Sequence, residues 1–413
     1  MITLLTAIIV RAADPTDTSY PYADCQGSAK PYPVPASVTE LPDSLTVIFI
    51  NHVGRHGARF PSSPRNVTHL IKELSHADSL NALTPAGESL LSLAKYVSEY
   101  SHNRWGALDS LGMAEQRGIA SRMLRNNGRL FDNKRIKAIS SYSPRCVMSM
   151  YEFTHQLDRL NNHIEIYTSA GRQNSPLMRP FDLDPDFTAW LKNGDWQEVY
   201  RMQYETMMPV APARRLFKGD YGHDLSSDKA RDISFHAFKM LQGLAAMGLP
   251  SRMDQYFTLP EANQAWSCSN LSHYLQRTTT TLSQLPAEIA APLLVDLLTT
   301  ADEAARGESE YSVILRFGHA ETLMPLLSLM RLDGCYYLTN YFDTVALHWM
   351  DFHVVPMASN LQMIMARTKS GRIYVRFDLN ERPVVLPGAD SIYIPWDTAR
   401  EYLLRCIPLH LRP

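Results

Sequence analysis

The sequence predicts an α/β fold: a mixed central sheet with helices on both faces, into which an all-α cap is inserted. Three observations predict it. Short apolar runs rich in β-branched residues recur at Leu45–Ile50, Ile136–Tyr142 and Tyr311–Gly318, as buried strands require. Each run leads through a polar loop into a segment of helical spacing, the order of a sheet covered by helices. Between the second and third runs, from about 161 to 301, strand signals fade and helical stretches dominate.

Composition narrows the function. Of 413 residues, 45% are hydrophobic and 20% charged, enough for a large core and two domains. A formal net charge of −2 argues against a broad basic face for nucleic acid, but leaves room for a local basic pocket. No stretch is long and apolar enough to span a membrane. The five cysteines, Cys25, Cys146, Cys268, Cys335 and Cys406, contain no C-x-x-C pair, which removes zinc ribbons and thioredoxin-type sites. Five is an odd number, so at least one thiol stays unpaired, and it is too few for a scaffold built on disulfides.

Taken in order, Met1–Val10 is short and apolar and is followed by Arg11-Ala12-Ala13-Asp14. It reads as a secretion leader with small residues near its cleavage point, although no basic region precedes it. An N-terminal strand is the alternative. Residues 16–42 are rich in Pro, Tyr and Ser and read as an irregular arm laid over the body. The strand Leu45–Ile50 should end in the loop Asn51-His52-Val53-Gly54-Arg55-His56-Gly57-Ala58-Arg59-Phe60-Pro61. In open α/β sheets chemistry sits beyond the carboxyl ends of strands. Arg55 and Arg59 are forked donors that match phosphate oxygens two at a time. Gly57 would let the backbone approach a ligand closely. His56 is a nucleophile or a general base. A surface loop with basic residues is the plain alternative.

Helices follow near Val67–Ala77, from Thr84 (cap) and Pro85 to about Tyr100, and from Ser110 to about Asn126. After Ile136–Tyr142, Ser143-Pro144-Arg145-Cys146 opens a helix to about Leu160, and Arg145 stands at the strand's carboxyl end as Arg55 does. On a structural reading Arg145 would form a salt bridge at the helix start. Helical stretches in the cap are Asp184–Asn193, Asp228–Met247 and Ala262–Leu282. Its basic residues Arg172, Arg179, Arg201, Arg214, Arg215 and Lys218 form either a solvated face or a mouth for a polyanion. Tyr311–Gly318 is the third strand, His319-Ala320-Glu321 lies just past it, and a helix begins near Leu323. Leu361–Arg367 and Ile373–Asp378 read as a hairpin around Ser370-Gly371, and Pro395-Trp396-Asp397 opens a last helix. The expected divisions are residues 1–28 for leader and arm, 29–160 and 302–413 for the two parts of the α/β body, and 161–301 for the cap.

Arg55-His56-Gly57-Ala58-Arg59-Phe60-Pro61 resembles the RHGxRxP signature of the histidine phosphatases, in their acid phosphatase and phytase branch. Phe317-Gly318-His319-Ala320-Glu321-Thr322 resembles that branch's second motif. Most of the branch has His-Asp there, and His-Ala-Glu resembles the subgroup called multiple inositol polyphosphate phosphatases. The resemblance implies that His56 is the nucleophile, where spacing alone leaves it equal to His319. It implies that Arg55, Arg59, Arg145 and His319 bind phosphate and that Glu321 serves as proton donor. Asn174–Asp182 loosely resembles a substrate-facing segment of the inositol phosphatases, with Arg179 as the contact.

Phosphoryl transfer needs positioning and charge stabilisation more than covalent work, and these groups supply both without a metal or cofactor. No G-x-x-x-x-G-K-[ST] or H-E-x-x-H occurs, and the Cys406/Arg412 spacing of a cysteine-dependent phosphatase is interrupted by Pro408. The expectation is therefore a monomeric, exported phosphomonoesterase acting on inositol hexakisphosphate and lower inositol polyphosphates, with no nucleic-acid partner. A phosphomutase, a non-specific acid phosphatase and a non-catalytic polyanion binder are the alternatives.

Overall fold

The computed structural model describes residues 19–132 and 134–412. The expected leader, Met1–Val10, lies outside the described residues. Eight strands build one sheet: β1 (Leu45–Arg55), β2 (Arg135–Ser140), β3 (Glu165–Ala170), β4 (Val313–Gly318), β5 (Asn360–Thr368), β6 (Ile373–Leu379), β7 (Arg382–Val384) and β8 (Ile394–Pro395). Their order is β3-β2-β4-β1-β5-β6-β7, with β8 also on β6. β3, β2, β4 and β1 run parallel, and β5 turns antiparallel against β1. The sheet is mixed, as expected, and the central β4 is buried along its whole length.

Alternation along the strands sends side chains to two cores. One face carries Ile50, Ala138, Leu315 and Phe317 against Ile119, Met150, Phe153 and Leu157 of the Ser110–Asn126 and Pro144–Leu160 helices. The other carries Phe49, Val53, Ile314 and Met365 against Leu294, Leu297, Leu323 and Leu403 of the Ala291–Arg306, Ala320–Leu329 and Trp396–Cys406 helices. A third core is built mainly from helices and takes no residue from the sheet. Leu70, Leu74, Leu90 and Ala94 pack there with Phe238, Leu241, Phe257 and Trp266. The Arg65–Ser79 and Pro85–Tyr100 helices thus share a core with the Ser227–Gln242 and Leu259–Arg277 helices.

Four sequence expectations change. β1 does not stop at Ile50 but runs to Arg55, because the interior accommodates its polar residues. Asn51 donates to the Leu297 carbonyl at 3.0 Å, and His52 is wedged between Phe153 and Phe317. The segment expected to be all helical contains β3, an exposed edge strand whose polar side chains give no apolar alternation. The arm is woven in rather than laid over: Cys25, Gln26, Gly27 and Tyr32 are buried, and the Ser28 carbonyl accepts a hydrogen bond from Arg55. Finally, Gly57 makes room for protein rather than ligand, as a Cβ there would stand 2.3 Å from the Gly112 carbonyl oxygen.

Candidate active site

The register of three parallel strands sets the site. Arg55 pairs with Gly318 and Ser140 with Phe317, so the carboxyl ends of β1, β4 and β2 stand level. His56, His319 and Ser141 follow directly, and their backbones continue the ladder: His56 N donates to Gly318 O at 3.1 Å and Ser141 N to Phe317 O at 2.9 Å. The β1–β5 junction, where parallel pairing gives way to antiparallel, lies beside them.

His56 is buried, and its Nδ1 lies 2.9 Å from the Gly57 carbonyl. A carbonyl only accepts, so Nδ1 carries the ring hydrogen and Nε2 keeps a lone pair. Burial first, then Arg55, Arg59, Arg145 and His319, holds its pKa well below the usual histidine range. The ring is therefore neutral and able to attack an electrophile. The loop around it is tied at several points. Gly57 N donates to Ser149 Oγ, Ala58 N to Glu115 Oε2 at 2.7 Å, and Asp109 N to Ala58 O. Glu115 also accepts from Tyr32 N at 2.8 Å, and burial raises its carboxyl to about 7 against those two bonds.

Arg55 is fixed by the Ser28 and Val355 carbonyls at 2.6 and 2.5 Å, and its own carbonyl accepts from Gln116 Nε2. Burial lowers its pKa to about 10 and that of Arg59 to about 9, where Arg145 and Arg55 add repulsion. The Nε atoms of Arg55 and Arg59 are buried without a hydrogen-bond partner. Arg145 Nε has no hydrogen-bond partner either, and Arg145 Nη2 faces His319 Nδ1 at 3.3 Å.

His319 lies 5.7 Å from His56, centroid to centroid. Its Nε2 stands 2.7 Å from Arg179 Nη1 and 3.0 Å from Ser141 Oγ. Burial, then Arg145, Arg179 and Arg55, pushes its pKa down to about 3, although Glu321 opposes them. A neutral imidazole accepts at one nitrogen only, yet arginine donors face both. A bound anion would relieve that conflict. Arg179 is seated by Asp182 at 2.5 Å, and its guanidinium lies over the Tyr142 ring, as does that of Arg172. Thr322 fastens this stretch to the second motif, since its Oγ1 donates to Met178 O at 2.7 Å and accepts from His319 N at 3.0 Å. The other basic residues have local partners: Arg201 has Glu198 and Glu205, Arg215 has Glu261, Lys218 has Asn81, and Arg214 has the Leu225 carbonyl.

Glu321 sits in the first turn of the Ala320–Leu329 helix. Burial alone would raise its carboxyl, but Arg277, His319, a backbone N–H and Arg55 outweigh it and hold the group below the usual carboxylate range. Arg277 is a residue beside Glu321 that sequence reasoning missed. It lies over the Phe187 and Phe181 rings, and its buried Nη1 has no partner. In the sequence it is the last residue of a long helix, where a basic residue is ordinary. Cys146, 3.1 Å from the Gly318 carbonyl, is a buried thiol raised to about 12 and so unfit as a nucleophile. All five cysteines are free.

Fold and site together define an α/β enzyme that receives an anion among guanidinium groups around a neutral histidine. The chain belongs to the histidine phosphatase superfamily, branch 2, whose model matches residues 46–380. It is 24% identical over 400 residues to multiple inositol polyphosphate phosphatase 1 of Gallus gallus, covering 89% of this chain and 83% of that one. The Homo sapiens counterpart is 26% identical over 376 residues, covering 82% and 74%. Among solved structures, the multiple inositol polyphosphate phosphatase of Bifidobacterium longum in complex with phosphate superposes with a TM-score of 0.80 at 17% identity, covering 94% of this chain and 99% of that one. The phytase from D. castellii gives 0.71 at 15% identity, covering 96% and 88%. The fold class expected from the sequence is the one these structures share. Among the described residues no helix is long and apolar enough to cross a membrane.

Proposed function

We propose that this enzyme hydrolyses phosphate monoesters of inositol, inositol hexakisphosphate foremost and its lower polyphosphates after it, through a phosphohistidine on His56. The single observation that carries the reading is the bare Nε2 of a neutral His56 with Arg55, Arg59 and Arg145 around it. Those guanidiniums and His319 would hold the three non-bridging oxygens while Nε2 forms the N–P bond and the P–O ester bond breaks. The leaving alkoxide takes its proton from Glu321. Without ligand that carboxyl is ionised, but a phosphate anion docked on the same arginines offsets the charge that keeps it so. Substrate binding thereby raises its pKa and equips it as the acid. Water then attacks the phosphohistidine, with Glu321 accepting its proton.

Arg179, half-buried beside Tyr142 and Asp182, fits a role in holding a further phosphate of the ring. The relatives named for inositol polyphosphates support the substrate class. We also propose that the part of residues 161–301 between β3 and the Ala291–Arg306 helix acts as the cap over the site, and that the protein works as a monomer and is exported, export being what the apolar start supports. Release of inorganic phosphate from inositol hexakisphosphate, with mass spectrometry of alkali-quenched enzyme locating phosphate on the His56 peptide, tests the reading. Phosphate returned to the sugar would make the protein a mutase, and binding without release would make it a polyanion carrier.

A further inference from the structure

The Arg65–Ser79 and Ser227–Gln242 helices pack side by side, and three side chains that the proposed chemistry does not use converge where they meet. They are His69 from the first helix and Asp232 and His236 from the second, and one ligand-type atom of each lies within 4.8 Å of the others. The spacing of Asp232 and His236, four residues apart, puts both on one helix face. His69 Nε2 stands 2.7 Å from Asp232 Oδ2, and His236 Nε2 stands 3.3 Å from Asp232 Oδ1. The two imidazole rings stack with centroids 4.1 Å apart.

Hydrogen bonding accounts for this arrangement only in part. His236 Nδ1 lies 2.9 Å from Asn66 Oδ1, an acceptor, so Nδ1 carries the ring hydrogen and Nε2 points its lone pair at a carboxylate oxygen. His69 Nε2 is buried and forms no hydrogen bond despite its closeness to the same carboxylate. Two imidazole nitrogens and a carboxylate at these distances need a proton or a metal ion between them, and the three also have the spacing of a ligand set.

We propose that His69, Asp232 and His236 bind one divalent transition-metal ion, with zinc as the reference metal and water as the fourth ligand. Two nitrogens and one carboxylate oxygen are a donor set that zinc accepts, and ligand atoms around tetrahedral zinc sit about 3.3 Å apart. The outer shell is in place: Asn66 fixes the His236 tautomer, and Glu73, held by Lys229 at 2.7 Å, lies 4.0 Å from His69 Nε2. The Asp232 side chain is 43% exposed and gives the ion a route in, while that of His236 is 8% exposed and closes the inner side. None of the three belongs to the catalytic set, so the ion acts as a staple. It joins the helix that begins six residues after Arg59 to a helix of the inserted segment. Sequence reading found no metal motif because His69 is 163 positions from Asp232.

The test uses the full chain, freed of metal and titrated with zinc chloride. One zinc should bind per chain, and a hundredfold excess over Kd should raise Tm by about 3 °C. Cobalt should give the visible absorption of a tetrahedral site. Asp232→Asn, which changes a half-exposed side chain and keeps the fold, and His69→Gln should each lose the bound zinc, the Tm shift and the cobalt band. Both should hydrolyse p-nitrophenyl phosphate at the parent rate without metal. No zinc-dependent shift in the parent protein overturns the proposal. So does a shift and stoichiometry that survive in both variants, because the ion would then sit elsewhere.

Discussion

Glu115 is the residue on which the geometry of the catalytic loop depends most directly. Its two carboxylate oxygens accept from Ala58 N at 2.7 Å and from Tyr32 N at 2.8 Å, so one side chain ties the loop to the N-terminal arm. In Glu115→Gln one of those oxygens becomes an NH2 group, and a donor faces a donor. A buried donor left unmade costs about 1–3 kcal/mol. Taking about 2 kcal/mol, and a melting entropy of about 2.1 cal/mol/K per residue over 413 residues, Tm should fall by only about 2 °C. Melting is best followed near pH 6, below the Glu115 pKa of about 7, because at higher pH burial penalises the parent's anion and the neutral amide of the variant would escape that penalty. Activity should suffer far more. Releasing Ala58 lets His56 and Arg59 drift, and a misplacement of about 1 Å costs about a hundredfold in rate. The assay is the single-turnover burst of nitrophenolate from p-nitrophenyl phosphate, read beside the melting curve. A variant with the parent burst rate and the parent Tm would refute the reasoning. A Tm loss of tens of degrees would equally show that Glu115 supports the core rather than the loop.

Other substitutions probe the remaining parts. Glu321→Gln should slow phosphorylation of His56 about a hundred- to ten-thousand-fold with inositol hexakisphosphate but leave a nitrophenolate burst near one per site, because nitrophenolate leaves without a proton; equal losses would move the acid role to His319 or to the cap. Arg277→Gln removes the strongest opposing charge from Glu321, so the carboxyl should keep its proton to higher pH. The alkaline limb of kcat for inositol hexakisphosphate should then move upward while that for p-nitrophenyl phosphate stays, and an unmoved limb would separate the two residues. Gly57→Ala should destabilise the fold by more than about 2 kcal/mol in urea melts, since its Cβ would meet the Gly112 backbone 2.3 Å away; a silent variant would show that the two segments part easily. His52, buried and held near a pKa of about 3 by desolvation and Arg316, stays neutral in the fold while the unfolded chain takes up a proton below about 6.5. The unfolded state therefore binds more protons in that window, and stability falls as pH drops through it, by about 1.4 kcal/mol per unit for this group. His52→Phe should flatten the acid side of the stability profile, and an unchanged slope would assign it to other groups.

The sequence by itself determined the three buried strands, the loops at their carboxyl ends and the residues His56, Arg55, Arg59, Arg145, His319 and Glu321. Strand periodicity and an unbroken seven-residue signature are local properties, and local chemistry is what a chain displays in one dimension. It also marked Arg179, though only as one basic residue among several. Tertiary structure decided which of those lies at the site: Arg201 and Arg215 face nearby carboxylates, whereas Asp182 and Tyr142 aim Arg179 at His319. It extended β1 through Asn51 and His52, polar residues whose partners come from distant helices. It placed β3 at an exposed sheet edge, where pairing needs backbone rather than apolar side chains. It brought Ser28, Glu115 and Arg277 to the site from segments that read as arm, helix face and helix end. Each of these depends on contacts across the folded chain, and such contacts leave no periodic mark in the sequence that makes them.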